Sequence, residues 1–439
     1  MRDGAPAQST RARVRPFGAS QPTHVVVAAG IVERAASYAS TYGTRFLVVT
    51  GEAHVRASGV LERMLADFHG AGLEVELLEG VGPNPTVAVV DAGAALCRAR
   101  RIDAIVALGG GSVVDAAKAI ATSAAAPEHL SFTTYLSGLR SPDLVVAAAL
   151  PVVAIPTLPG SGSETNGTSV ITDDDSGRKL SAHSELAAPR VALLDPELPL
   201  GAPGSLLAPG FADAACHALE AALADSATVA SDALAEQALR MLLRLGRLPV
   251  DSATMTRDEH ATALTQAWWA TNLAGQALSL SGSLLTHPLA HPISARLDVR
   301  HGEAVAALEP AVIATFAPQL AAQGSIQKVG RWLDVRGASD GDAAVRGVLL
   351  RLQWYLVTLG VRAGVAALGL VEDEAVSLVV RDARASGSRG LRSIGGSEPS
   401  PDLLFATLDL ARRCPPDTPV RQLLDVRDEL RGSGPTGPA

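Results

Sequence analysis

Two rhythms of apolar and polar positions run along this chain, and the rhythm changes near residue 198. From Thr23 to about Pro196, short β-branched runs alternate with helical stretches. The pattern predicts strands at His24–Val27, Arg45–Thr50, Glu74–Leu78 and Ala104–Leu108, and a further strand that starts at Val152 and runs into small polar residues by Glu164. It predicts helices at Ile31–Tyr42, Val60–Ala71, Pro85–Arg100 and Val113–Ser123. Strands spaced by helices of this length imply a parallel sheet covered on both faces. Val170-Ile171-Thr172-Asp173 opens a predicted β-hairpin, with Asp174–Gly177 as its turn and Lys179 on the return. After Leu198 the strand signal is lost and the helical period dominates, at Gly210–Asp225, Ser231–Leu245, Arg257–Ser279, Leu284–Leu297, Gly302–Phe316 and onward to Arg431. The expectation is an α/β domain over 22–197 and an all-helical domain over 198–430. Residues 1–21 and the Gly/Pro/Ser-rich 431–439 read as disordered ends.

Composition narrows the function classes. The chain has 439 residues, 47% of them hydrophobic, enough for two cores. A net charge of −8 argues against a nucleic-acid or anionic-membrane surface. No apolar run reaches the roughly 18 residues that span a bilayer, and Met1–Gln21 lacks the apolar stretch of a secretory signal. Cys97, Cys216 and Cys414 form no CxxC pair and no disulfide framework, which fits a reducing cytoplasm.

Two stretches carry candidate chemistry. In the first half, a buried strand runs into Gly109-Gly110-Gly111-Ser112 and then into a helix bearing Asp115 and Lys118. Glycines let the backbone approach a ligand, and the N–H groups of a helix start favour an anion. A pyrophosphate is the expected guest; the alternative is a tight strand–helix turn with no ligand. The spacing is not G-x-G-x-x-G. Thr157–Glu164 follows another strand and offers hydroxyls and glycines to the same nucleotide. Lys179 reaches a ribose or phosphate, or is a solvated hairpin lysine. In the second half, five of the ten histidines fall between Phe211 and Gly302. Asp213-x-x-x-His217 and His287-x-x-x-His291 each place two side chains on one helix face, and His301-Gly302 follows. Each residue alone reads equally well as a packed helix position. Together, imidazoles and a carboxylate suit a divalent Fe or Zn with positions open for substrate. Cys216 reads as a small buried neighbour. The cleft between the two halves is where a nucleotide would meet the metal.

These stretches, in this order and spacing, are similar to those of the iron-containing (group III) alcohol dehydrogenases of the dehydroquinate synthase-like superfamily. The resemblance covers about Pro22 to Ala411. It also rests on Pro83-Asn84-Pro85-Thr86, Pro156-Thr157, Ile171-Thr172-Asp173 and Asp195-Pro196. It implies a dehydroquinate synthase-like fold, a Rossmann-like parallel-sheet domain followed by an all-α domain, in a homodimer. It implies one divalent metal, Fe2+ or Zn2+, on Asp213, His217, His287 and His301, with His291 as a proton-relay residue. It implies NADH or NADPH on Gly110, Gly111, Ser112 and Asp115, helped by Asn84, Thr157, Leu158, Ser161 and Lys179. The implied reaction is hydride transfer between nicotinamide and an alcohol or aldehyde whose oxygen the ion polarises.

Several positions depart from the family pattern. Gly51 stands where many members carry Asp, which removes a carboxylate that repels a 2′-phosphate and makes NADPH admissible; Glu52 beside it is able to restore the discrimination. Thr157-Leu158-Pro159-Gly160-Ser161 replaces Thr-Thr-Ala-Gly-Thr. Pro288 directly follows an expected ligand, which puts His287 near a helix start. The family's Asn-Pro-Arg gives way to Gly395-Gly396-Ser397-Glu398-Pro399. Arg296 and Arg300 lie between the last two expected ligands and suit an anionic substrate, or are solvated. Alternatives on the same fold are a maleylacetate reductase-like enzyme and a dehydroquinate synthase-like lyase or cyclase; Asp213 with three histidines counts against both. A non-enzymatic nucleotide-binding protein is the least expected reading.

Overall fold

Strands that are apolar at every position need cover on both faces, and in the computed structural model they receive it. The structure describes residues 18–51, 53–127, 131–133, 148–386 and 388–432. Most of the expected disordered ends, and Glu52, lie outside the described residues.

Six strands form one sheet: β1 (His24–Val27), β2 (Arg45–Gly51), β3 (Glu74–Val81), β4 (Ala104–Gly109), β5 (Val152–Pro156) and β8 (Val191–Leu194). Their order is β1-β8-β5-β4-β2-β3, and every pairing is parallel. The period-2 alternation assigns the faces. Leu47, Val49, Ile105 and Ala107 pack under α4 (Val87–Arg100) and α5 (Gly111–Ala125). Phe46, Val48, Ala104 and Val106 pack under α1 (Ala35–Ala39) and α3 (Val60–Gly70). A short helix, α2 (Ala53–Ala57), follows β2. The expected hairpin is β6 (Thr168–Thr172) with β7 (Lys179–His183), antiparallel. Because β4 joins the sheet on the opposite side of β2 from β3, the chain reverses direction there. The crevice at the carboxyl ends of β2 and β4 is the place where such sheets bind ligands.

One local expectation fails for a tertiary reason. The helix expected over Ile31–Tyr42 is instead a 3-10 turn (Ile31–Arg34), α1, and a second 3-10 turn (Ser40–Tyr42). Carboxylates from other elements take its amides. Asp195 accepts from Gly30 N–H at 3.1 Å and Val32 N–H at 3.3 Å, and Asp67 accepts from Ala36 N–H at 2.7 Å. β8 was not anticipated, since four apolar residues carry no period.

The second half comprises α6 (Gly204–Leu223), α7 (Val229–Leu245), α8 (Arg257–Ser281), α9 (Thr286–Leu297), α10 (His301–Thr315), α11 (Ala317–Gln323), α12 (Ser325–Trp332), α13 (Gly341–Leu359), α14 (Asp373–Ala385), α15 (Pro401–Arg413) and α16 (Val420–Gly432). α6 starts six residues before its expected start, with Pro209 inside it. Proline has no N–H, so the Ser205 carbonyl loses its helical donor; Arg300 Nη1 donates to it instead, at 2.6 Å. α9 starts at Thr286, so His287 and Pro288 occupy its first turn. Arg431 and Gly432, expected in the tail, are helical.

The two halves meet at backbone. Gly162, at φ +65°, lies so close to Gly275 of α8 that a Cβ on Gly162 would sit 2.6 Å from the Gly275 Cα. Beside this contact the buried Glu164 accepts from Asn272 Nδ2 at 3.0 Å. Among the described residues, no single helix is long and apolar enough to cross a membrane.

Candidate functional site

From Leu207 to Leu223 only Gly210 escapes full burial, so the polar residues of that stretch are trapped inside. Asp213, His217 and Glu220 lie one turn apart on the same face of α6. α10 begins hard against this helix. A Cβ on Gly302 would stand 2.1 Å from the Pro209 carbonyl oxygen and 3.2 Å from Asp213 Cβ. Glycine at 302 therefore sets how closely His301 approaches Asp213. α9 contributes His287 from its first turn and His291 one turn later.

The arrangement draws together all five residues singled out in the sequence. Ligating atoms of Asp213, His217 and His287 all lie within 4.8 Å of one another. Asp213 Oδ1 is 3.5 Å from His217 Nε2 and 3.8 Å from His287 Nε2. The His217 and His287 rings stack with centroids 4.7 Å apart. The His301 ring is 5.2 Å from His287, and His291 is 5.1 Å from His301 and 6.3 Å from His287.

The donors fit a cation. Asp213 Oδ1, His287 Nε2 and His301 Nδ1 are buried atoms without a hydrogen-bond partner, which folded proteins seldom tolerate, and His217 turns its Nε2 to the same Asp213 oxygen. Burial pushes the pKa of His217 down, and it pushes those of His301 and His291 well down, leaving neutral imidazoles with free lone pairs. Burial also lowers that of His287, but the charge and hydrogen bond of Glu220, with Asp213, outweigh it and the net direction is up. One carboxylate and neutral imidazoles around a buried point form the donor set of a divalent first-row metal.

Sequence reasoning passed over Glu220 and Glu309. Glu220 is fully buried; its Oε1 lies 2.8 Å from His287 Nδ1, and its Oε2 accepts from Leu284 N–H at 2.6 Å. Glu309 of α10 is also fully buried, accepts from Thr286 Oγ1 at 2.5 Å and faces Glu220. Burial, then the charge of Glu220, holds the Glu309 carboxyl well above its usual range. A usable signal was present: both are lone acids inside apolar helical runs, and Glu220 follows His217 at i+3.

The nucleotide candidates gather at the carboxyl ends of β2, β4 and β5. Gly110 precedes α5 in an extended conformation, and Gly111 is its first residue. A Cβ on Gly111 would meet Ser161 Oγ at 2.8 Å, so the glycine turn and the 157–161 loop touch. Thr157 N–H donates to the Gly109 carbonyl at 2.9 Å. Ser112 Oγ donates to the Pro83 carbonyl at 2.6 Å, and Asn84 Nδ2 reaches across to Asp298 Oδ1 of the helical half at 3.2 Å. Leu158 packs against the helical core. Asp115 looks inward: it accepts from Val170 N–H at 2.9 Å and from Ser163 Oγ, and pairs with the buried Lys118 at 3.2 Å. Lys118 in turn donates to the Ser163 and Thr168 carbonyls, tying α5 to the hairpin.

Lys179 is not a solvated hairpin lysine. Burial pushes its pKa down to about 8 against the opposing charges of Asp115, Asp213 and Asp298. It lines a narrow cavity with His291, Pro288, Pro292 and Arg296. The two arginines read as suiting an anionic substrate or as solvated each have a partner within the protein. Arg296 Nε donates to Asp382 Oδ2 at 2.9 Å, with Nη2 on the same oxygen, and Arg300 holds the carbonyl freed by Pro209.

Comparison with known proteins agrees with this geometry. A family model described as iron-containing alcohol dehydrogenase matches residues 22–196, and one described as the C-terminal part of the Fe-containing alcohol dehydrogenase family matches residues 208–389. The NAD-dependent methanol dehydrogenase of Bacillus methanolicus is 29% identical over 370 residues, 82% of this chain and 92% of its own. The probable alcohol dehydrogenase EutG of Escherichia coli K12 is 32% identical over 332 residues, 75% of this chain and 80% of its own. The crystal structure of an iron-containing alcohol dehydrogenase from Thermotoga maritima superposes with a TM-score of 0.75 at 26% identity, covering 91% of this chain and all of that one. With both halves matched in order and the acid–histidine cluster in place, the chain belongs to the iron-containing alcohol dehydrogenase family.

Proposed function

We propose that Asp213, His217, His287 and His301 hold one divalent ion, Fe2+ or Zn2+, and that His291 handles the proton of the reaction. Within its family the chain is a metal-dependent, NAD(P)H-linked alcohol and aldehyde oxidoreductase. The observation that carries the ligand assignment is the set of buried, partnerless donor atoms on three different helices. When bound, the ion supplies Lewis-acid polarisation of the substrate oxygen and the dinucleotide supplies or accepts the hydride.

The chain's own residues do the rest. The Gly110–Ser112 turn presents the first N–H groups of α5 to the pyrophosphate. Thr157, Leu158 and Ser161 wall the nucleotide, Asn84 closes the cleft towards Asp298, and Asp115 keeps the turn and hairpin in register. Lys179 balances negative charge where cofactor and substrate meet. His291, partly buried and neutral, exchanges a proton with the substrate oxygen through a ring nitrogen. Gly51 leaves the end of β2 without a carboxylate, so the cofactor is NADPH or NADH, with NADPH admitted. We take the working form to be a cytoplasmic homodimer of the dehydroquinate synthase-like fold, with halves 22–197 and 198–430, acting on a small neutral alcohol or aldehyde.

The test is metal analysis of anaerobically purified protein, paired with NADPH and NADH oxidation across an aldehyde panel, for wild type, His217→Ala and His287→Ala. Wild type is expected to carry one ion per chain and turn over; both variants lose ion and turnover together. An active, metal-free His217→Ala would overturn the ligand assignment.

A further inference from the structure

The two histidines with the best-defined approach to Asp213, His217 and His287, differ behind the ring. His217 Nδ1 has no partner, whereas His287 Nδ1 meets a fully buried carboxylate. That carboxylate belongs to Glu220, on the same helix as Asp213 and His217, and its second oxygen is fixed by the Leu284 N–H just before α9. One side chain of α6 thus grips both the entry to α9 and the ring that α9 carries.

We propose that Glu220 is a positioning residue for the metal site, holding His287 with Nδ1 protonated so that Nε2 is the ligating atom. The inference rests on the metal reading above. The geometry leaves His287 little choice. With a carboxylate at 2.8 Å from Nδ1, the neutral ring keeps its proton there, since the other tautomer would set a lone pair against the oxygen. Nε2 is then the free lone pair, and it is this atom that faces Asp213 Oδ1 at 3.8 Å with no other partner. The two carboxylate oxygens serve two different N–H donors, so both are required. Glutamine, nearly identical in shape, offers one acceptor and one NH2 group. In Glu220→Gln either His287 or Leu284 must face a donor, and the ring or the start of α9 shifts.

The experiment uses the full chain, stripped of metal and titrated with Zn2+ against a competing chelator, and with Co2+ monitored by its visible absorption. Removing such a partner of a ligating histidine typically weakens metal affinity about 10–100-fold. Glu220→Gln is expected to show that loss, with displaced Co2+ bands, while circular dichroism shows it folded at the titration temperature. A purely structural role would lower the melting temperature of the metal-free protein and leave the Zn2+ dissociation constant and the Co2+ spectrum unchanged; that result overturns the proposal. Should Glu220→Gln fail to fold, 15N-histidine NMR of the Zn2+-loaded wild type decides, with the His287 signals assigned through His287→Ala. Protonated Nδ1 on His287 supports the proposal and protonated Nε2 overturns it. Wild type that takes up neither Zn2+ nor Co2+ overturns the metal reading itself, an outcome distinct from wild type and Glu220→Gln binding alike.

Discussion

Replacing Gly302 by alanine tests whether the closeness of α6 and α10 builds the site. Gly302 is the second residue of α10, and its φ is not positive. On helix propensity alone the change would stabilise the protein by about 1 kcal/mol. The neighbours say the opposite. The new methyl would lie 2.1 Å from the Pro209 carbonyl oxygen, against a comfortable separation of about 3.5 Å. The neighbour is backbone, so relief requires moving one helix by about 1 Å. Overpacking of a tight interior costs about 1–3 kcal/mol. With rigid backbone as the obstacle, the upper end applies, leaving a net loss of about 2 kcal/mol. The functional cost is larger. Metal sites tolerate about 0.2 Å in ligand distance, and a displacement of about 1 Å at a reacting centre lowers rates on the order of 100-fold. The assays are metal per chain after desalting, kcat/KM for an aldehyde, and the melting temperature of the metal-free protein. Gly70→Ala is the control, because a Cβ there meets nothing within 4 Å and its φ is ordinary; it should be neutral or stabilising. A Gly302→Ala protein with full metal, kcat/KM within twofold of wild type and a raised melting temperature would refute the reasoning.

Other outcomes follow from the same geometry. At Gly51 an added Cβ makes only ordinary contacts, 3.6 Å to the Val81 carbonyl oxygen and 3.7 Å to Val113 Cγ2. Gly51→Asp should therefore fold and shift the NADPH/NADH ratio of kcat/KM towards NADH; an unchanged ratio means another group reads the ribose. Arg300→Leu leaves the exposed Ser205 carbonyl to water and should cost no more than about 1 kcal/mol in a denaturant titration. It should leave the preference between carboxylated and neutral aldehydes alone, and a selective loss on carboxylated ones would restore the anionic-substrate reading. Cys97, Cys216 and Cys414 are all buried, and burial pushes the Cys97 thiol up to about 12 and raises the other two, which disfavours thiolate in each. Iodoacetamide should label none of the three until the chain is unfolded, and mass spectrometry of the native protein checks this.

How much was legible in advance depended on how local each determinant is. β1 matched residue for residue because three consecutive valines between His24 and the Ala28-Ala29-Gly30 turn favour an extended chain. The acid–histidine pairs were legible because helical spacing alone puts i and i+4 on one face. Elements whose backbone groups are claimed from afar were not. Asp195 and Asp67 broke the helix expected over Ile31–Tyr42, and Arg300 let α6 run through Pro209. The partners of Arg296 and Arg300 were not legible for the same reason, since they lie 86 and 95 residues away.

By itself, then, the order of residues determined the two rhythms, the glycine turn at the end of an apolar strand, and a supply of imidazoles and a carboxylate at helical spacing. These follow from steric and periodic rules that act over a few residues. Only the tertiary structure decided that α6, α9 and α10 converge, that Gly302 lets them approach, and that Lys179 shares a cavity with His291. Only it showed that the acid at position 220 answers a histidine 67 residues later. Burial, which turns an ordinary glutamate into a fixed acceptor and an ordinary histidine into a neutral donor of lone pairs, depends on what the rest of the chain packs around it.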